Sequence, residues 1–283
     1  KKVVVVSQDI NMRVKCDALD LLCEDYVAGD AVDTKDDVFT GLQKYLVDEQ
    51  AIDTFYSGED IFADKEEVKL YPNQYIMLVC NSNDKKTALA RFNSYTEPLR
   101  KLYKAEPIWD ITPRNKEQTF AVELLMDPDI EVVSLIGQAG SGKTLLAVAA
   151  GLEQVLGEKS LYKKLIVSRP IQPLGKDIGF LPGTLEEKMD PWLMPIKDNL
   201  EFLMGNDRSM VQTYFDQGVI EIEAITYIRG RSITNAFIII DEAQNLTRHE
   251  LKTILTRVGE GTKIILTGDI EQIDNIYIDE TSN

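Results

Sequence analysis

Gly137–Thr144 reads GQAGSGKT, between an apolar run, Val132–Ile136, and a helix-like run, Leu145–Leu156. The spacing G-x-x-x-x-G-K-[ST] is that of a phosphate-binding loop. Each residue type has a reason to be there. Gly137, Gly140 and Gly142 let backbone N–H groups close around phosphate oxygens where a side chain would collide. Gln138, Ala139 and Ser141 fall inside the same cradle. Lys143 supplies a point charge for β- and γ-phosphates, and the Thr144 hydroxyl can ligate Mg²⁺. The following helix aims its first N–H groups at the same anion. A bare glycine turn is the competing reading, and the strand–loop–helix context weighs against it.

A second stretch completes the first. Phe237–Ile240 is apolar and ends in Asp241-Glu242-Ala243-Gln244. A hydrophobic strand terminating in Asp-Glu is the Walker B pattern. Asp241 is expected to hold Mg²⁺ through water, and Glu242 to accept the proton of an attacking water. Thr247 and Glu250 form a capping box for the next helix. Thr262–Leu266 reads as another buried strand, ending in TGDIEQ.

Composition narrows the class. The chain has 283 residues, 44% of them hydrophobic, enough for two cores. No run of about 18 apolar residues and no export signal stands out, so a membrane span is not expected. Cys16, Cys23 and Cys80 show no metal spacing and suit a reducing cytoplasm. His249 is the single histidine, which speaks against a His-based centre. A formal charge of −16 argues against indiscriminate attraction to nucleic acid. The first residue is not Met and the last stretch has no closing element, so the expectation is a chain trimmed at both ends.

Working outward, Lys2–Ser7 carries a four-valine buried-strand signal. Val14, Ala18, Leu21 and Leu22 then fall on one helical face. Phe39–Tyr56 holds a helical pattern around Glu49–Phe55. Val68–Cys80 alternates, a turn follows at Asn81–Asp84, and Thr87–Phe92 reads as a strand. Tyr71, Tyr75, Phe92 and Tyr95, with Lys85, Lys86 and Arg91, can either stack and steer a single strand or simply be core. Thr112–Asp127 has a helical apolar face. Lys164–Val167 and Val219–Ala224 read as strands. Thr184 and Glu187 start a helix running toward Met204, in which Pro191 and Pro195 are expected to cause a break or kink. Ile171–Gly183 reads as an ordered functional loop. YIRGR, Tyr227–Arg231, is either a phosphate grip or a salt-bridged turn.

Several stretches resemble known families. The strand before Asp9, with the helix after it, resembles the last third of a PIN-type nuclease domain. That resemblance implies Asp9 as one carboxylate of a Mg²⁺ or Mn²⁺ cluster for RNA cleavage; a solvated Asp is the alternative. Asn115 and Gln118 resemble the glutamine motif of helicases, which implies that Gln118 reads the adenine edge; a helix-capping role is the alternative. TGDIEQ resembles the GDxxQ motif of superfamily-one helicases, which implies that Gln272 reaches the γ-phosphate.

Taken in order, PRNKEQ, GQAGSGKT, SRP…GFLPGTLEEK, YIRGR, IIIDEAQN and TGDIEQID are similar to the PhoH family of ATPases, and the whole chain resembles the bacterial PIN–PhoH fusions. The resemblance implies an α/β fold: a RecA-like P-loop NTPase core with a parallel sheet, preceded by a small β-rich domain and the C-terminal part of a PIN-like domain. The expected divisions are 1–35 (partial PIN-like nuclease), 36–106 (β-rich) and 107–283 (ATPase). It further implies ATP as nucleotide, single-stranded RNA as polymer, and a homo-oligomeric, hexameric ring. Arg231 and Arg257 are weak candidates for an arginine acting on a neighbour's site. A regulatory switch acting on proteins without RNA is the rival reading, and a kinase the third.

Overall fold

The computed structural model describes residues 4–6, 12, 15–16, 18–19, 21–24, 40–102, 106–170, 185–224 and 232–273. The chain parts after Phe39 into two compact units. In the first, β1 (Val4–Val6) pairs in parallel with β2 (Leu22–Glu24), Val4 opposite Leu22. The valine run therefore does form a strand. Leu21 and Leu22 do not share a helical face: Leu22 opens β2, and both side chains are exposed. Asp9 lies outside the described residues.

The second unit carries two sheets. One has four strands in the order β3-β4-β5-β6: β3 (Leu42–Val47), β4 (Tyr75–Cys80), β5 (Asn83–Arg91) and β6 (Arg100–Lys101). Helix α1 (Glu49–Ser57) connects the parallel pair β3 and β4. It starts where the Asp48 carboxylate accepts from Ala51 N at 2.7 Å and stops at left-handed Gly58. Ile52 and Phe55 bury its apolar side against Ile76, Leu78 and Ala90. The helical pattern around Glu49–Phe55 is thus a helix, and the residues just before it, Leu42–Val47, are held extended by pairing with β4.

Of the two readings of the aromatic–basic set, core holds for Tyr75, Phe92 and Tyr95, while Tyr71 and Lys85 are exposed. Tyr75 and Phe92 are buried, and the Tyr95 hydroxyl donates to Val68 O at 2.8 Å. Arg91 is sequestered in ion pairs, and Lys86 is held by Glu49 and Asp53. Tyr75, Phe92, Tyr95, Arg91 and Lys86 thus belong to the core and its rim.

The other sheet has five strands, all parallel, in the order β7-β11-β10-β8-β9. They are β7 (Val132–Ile136), β8 (Lys164–Arg169), β9 (Ile220–Ala224), β10 (Ala236–Ile240) and β11 (Lys263–Gly268). Strand β10 is buried throughout, as expected of a parallel strand covered on both faces. On one face α3 (Lys143–Leu156) packs on Leu165, Phe237 and Ile239. Gly151 sets the closeness of that contact, since a Cβ there would come within 2.7 Å of Leu165 Cδ1. On the other face α6 (Arg248–Leu255) buries Ile254 with Ile166, Ile238 and Ile240. The Thr247–Glu250 capping box forms as read.

Helix α2 (Lys116–Met126) precedes β7, while α4 (Leu185–Leu203) and α5 (Arg208–Asp216) lead into β9. Helix α4 runs unbroken past Pro191 and Pro195. The loop 171–184 and the YIRGR segment lie outside the described residues. Among the described residues no helix is long and apolar enough to cross a membrane.

Lys263 is fully buried in β11, and its ammonium donates to Leu124 O and Asp127 O, each at 2.7 Å. It thus satisfies carbonyls at the C-terminal end of α2. Burial lowers its pKa to about 8. An unfolded chain keeps this proton to pH about 10.5, the folded chain only to about 8. The unfolded state therefore holds more protons in that window, and the lysine's contribution to stability rises with pH. Urea midpoints measured from pH 7 to 10 should climb for the wild type relative to Lys263→Met; parallel profiles would refute the assignment.

Candidate functional site

The C-terminal ends of β7, β10 and β11 meet at one edge of the parallel sheet, where α/β folds place their ligands. The loop after β7 turns through left-handed Gly140 and Gly142, φ 74° and 87°. Gly142 caps α3, and its carbonyl accepts from Leu146 N at 2.9 Å. The Lys143 ammonium lies over the loop, donating to Gly137 O and, at 2.8 Å, to Gln138 O. The neighbouring strand props the loop. Gly137 N donates to Gly268 O at 3.1 Å, and Ala139 N to Asp269 Oδ2 at 2.8 Å.

Asp241 ties the three strand ends together. Its Oδ1 accepts from the Thr144 hydroxyl at 2.7 Å and from the Thr267 hydroxyl at 2.6 Å. Its backbone N–H donates to Ser168 O at 2.8 Å. Thr144 Oγ1 and Asp241 Oδ1 are thus adjacent hard oxygens. Among the described residues no three His, Cys, Asp or Glu side chains gather into a metal cage. A pair of oxygens beside a phosphate loop suits a cation that draws its remaining ligands from phosphate and water, as Mg²⁺ does.

Glu242 follows in a left-handed conformation, φ 55°, uncommon for a residue with a Cβ. Both carboxylate oxygens are engaged. Arg169 Nη2 donates to Oε1 at 3.2 Å and Gln244 Nε2 to Oε2 at 2.6 Å. The Gln244 amide also donates to Gln272 O at 3.0 Å. Lys143, Thr144, Asp241, Glu242 and Gln272 line one cleft of about 260 Å³.

Gln118 approaches the loop from α2. Its Nε2 donates to Ser141 O at 3.0 Å and its Oε1 accepts from Arg114 N at 2.7 Å. The cap of α2 is Asn115, whose Oδ1 accepts from Gln118 N at 2.8 Å. Arg257 is exposed beyond α6 and does not line the cleft. Arg231, like Asp9, lies outside the described residues.

Sequence reasoning missed three participants. Asn199 of α4 lines the cleft without any motif to announce it. Gln244 and Arg169 were quoted within DEAQ and SRP, but nothing local signals that both converge on Glu242.

The Protein PhoH2 of Bacillus subtilis (strain 168) is 48% identical over 287 residues, covering 100% of this chain and 64% of that protein. The Protein PhoH2 of Mycolicibacterium smegmatis is 36% identical over 280 residues, covering 98% of this chain and 61% of that protein. The chain therefore spans a little under two thirds of the length of these relatives. Among solved structures, the Sulfolobus solfataricus SWI2/SNF2 ATPase core in complex with dsDNA aligns with 59% of this chain and 34% of that one, at TM-score 0.38 and 17% identity, too slight a likeness to argue from. The family model described as PhoH-like protein matches residues 110–282, more than half of the chain, and the chain belongs to that family.

Proposed function

We propose that this chain is a Mg²⁺-dependent ATP hydrolase of RecA-like type that couples turnover to RNA unwinding, with single-stranded RNA as the polymer it binds. One observation carries the hydrolase reading. The loop lysine, the Thr144–Asp241 oxygen pair and the Glu242 carboxylate line a single cleft, although they come from two stretches of sequence nearly a hundred residues apart. Membership of the PhoH family supports it. The RNA part rests on the resemblance of the ordered motifs to RNA-associated members of that family.

Residues 137–144 wrap the triphosphate with backbone N–H groups, and Lys143 turns its ammonium from the loop carbonyls to the β- and γ-phosphates. Thr144 and Asp241 would hold the cation, which would supply positive charge beside the phosphate oxygens. Glu242 accepts the proton of the attacking water, with Arg169 and Gln244 fixing its carboxylate. Gln118 reads the base. Gln272 reports on the γ-phosphate, and its link to Gln244 ties that report to the base that activates water. The segment 1–35 is read as part of a PIN ribonuclease module, with Asp9 among its Mg²⁺ or Mn²⁺ ligands, and the assembly as a hexameric ring in the cytoplasm.

A regulatory switch acting on protein partners is the second reading, and the −16 formal charge favours it.

Glu242→Gln should retain ATP binding while turnover falls by roughly 10²–10⁴-fold, the usual share of a general base. Near-normal hydrolysis would remove Glu242 from that role. Lys143→Ala should lose binding and turnover together; intact nucleotide affinity, read by calorimetric titration, would count against the phosphate loop. Titrating single-stranded RNA into the ATPase assay separates the two readings. An RNA-coupled enzyme is stimulated, with an apparent affinity that falls as salt rises. A rate indifferent to RNA selects the switch.

A further inference from the structure

Helix α2 is a stiff rod whose two ends do different work. Near its start, the Gln118 carboxamide uses one proton and one lone pair on Ser141 O and Arg114 N. A carboxamide offers two protons and two lone pairs, so one of each remains for a planar heterocycle that presents an acceptor beside a donor. Where that second pair points depends on where α2 lies.

The far end of α2 is seized by the four-stranded sheet. Arg91 of β5 is buried, and its guanidinium donates to Glu123 Oε1 at 3.1 Å, Asp127 Oδ2 at 2.7 Å and Asn73 Oδ1 at 2.7 Å. Tyr75 of β4 stacks on Phe120, ring centroids 4.1 Å apart and planes 10° from parallel. Its hydroxyl lies within hydrogen-bond distance of the Glu123 carboxylate and of Phe120 O. From the parallel sheet, Lys263 holds the last carbonyls of the same helix. Such a network is costly to bury unless every member is paired, and removing one partner strands a charge. Arg91 and Tyr75 lie before residue 110, outside the stretch matched by the family model. The sheet that precedes the nucleotide-binding core thus grips the helix that bears Gln118.

We propose that Arg91 is a positioning residue for nucleobase recognition: by fixing α2 through Glu123 and Asp127, it keeps the Gln118 amide in register with the phosphate loop. The inference rests on the reading that this loop binds ATP. From Glu123 to Gln118 the helix extends about 7.5 Å, so a tilt at the clamp displaces the amide. The effect falls on the base. The phosphate chemistry stays intact, because Lys143, Thr144, Asp241 and Glu242 are held by other contacts.

The test measures Kd for ATP and for GTP, together with kcat for ATP, on the full chain. Arg91→Met should weaken ATP binding about tenfold, the worth of one or two hydrogen bonds, with kcat within about twofold and the ATP-over-GTP preference narrowed. Arg91→Lys should recover part of the preference, since an ammonium can pair with a carboxylate but cannot reproduce the planar fork. Tyr75→Phe keeps the ring stack, loses the hydroxyl and should shift the preference in the same direction, even if Arg91→Met fails to fold. Combined with Gln118→Ala, either clamp variant that folds should add little, because both act through one amide. An unchanged ATP/GTP ratio in Arg91→Lys and Tyr75→Phe, fully additive effects, or a fall in kcat at unchanged Kd would overturn the proposal. A wild type that binds ATP normally alongside such results condemns the clamp alone; a wild type that binds no nucleotide removes the ATP reading and this proposal together.

Discussion

A carboxylate that is almost wholly buried must be compensated where it stands, and Asp241 is compensated by two hydroxyls, one from a strand end and one from a helix start. This requirement orders the rest of the site. Strand β11 lies between β7 and β10, so Thr267 reaches Asp241 from the neighbouring strand. Thr144 reaches the same oxygen from the first turn of the helix after β7. A different strand order would leave the buried charge without donors. The parallel sheet is therefore the device that makes this acid tolerable, as well as the scaffold beneath it.

The same economy governs the loop. Asp269 is buried at the end of β11, and its two oxygens accept from Ala139 N and Glu271 N. Its own N–H donates to the Gln244 amide oxygen at 3.2 Å. The loop's shape is thus fixed partly by its glycines and partly by a neighbour 130 residues away in sequence. Local sequence gives the loop its permitted conformations, and the sheet selects among them.

What could be read beforehand divides along the same line. GQAGSGKT and IIIDEAQN were legible because their chemistry depends on local spacing and on the strand each follows. Four of the five parallel strands were legible as apolar runs, and β9 as an alternation. Strand β3 was not, since the pattern of its region centres on Glu49–Phe55 and only pairing with β4 extends Leu42–Val47. Tyr75, Phe92 and Arg91 look like a nucleic-acid surface in composition. Burial and the carboxylates of Glu123 and Asp127 make them an internal joint, and composition cannot report burial. Arg169 and Gln244 escaped for a related reason: the Arg169–Glu242 bond spans 73 positions, a distance over which no periodicity carries information.

The contacts around Glu242 carry a mechanical implication. Gln244 donates from a single nitrogen to Glu242 Oε2 and to Gln272 O, so one rigid amide joins the carboxylate to the segment after β11. A shift of that segment must stretch one of these bonds or turn the amide, and either changes the support of Glu242. Arg169 holds the other oxygen from the end of β8, giving the carboxylate a second anchor on a second strand. A carboxylate fixed on both sides is well oriented but already occupied as an acceptor. Its room to accept a third hydrogen bond therefore depends on how firmly Arg169 and Gln244 hold its two oxygens.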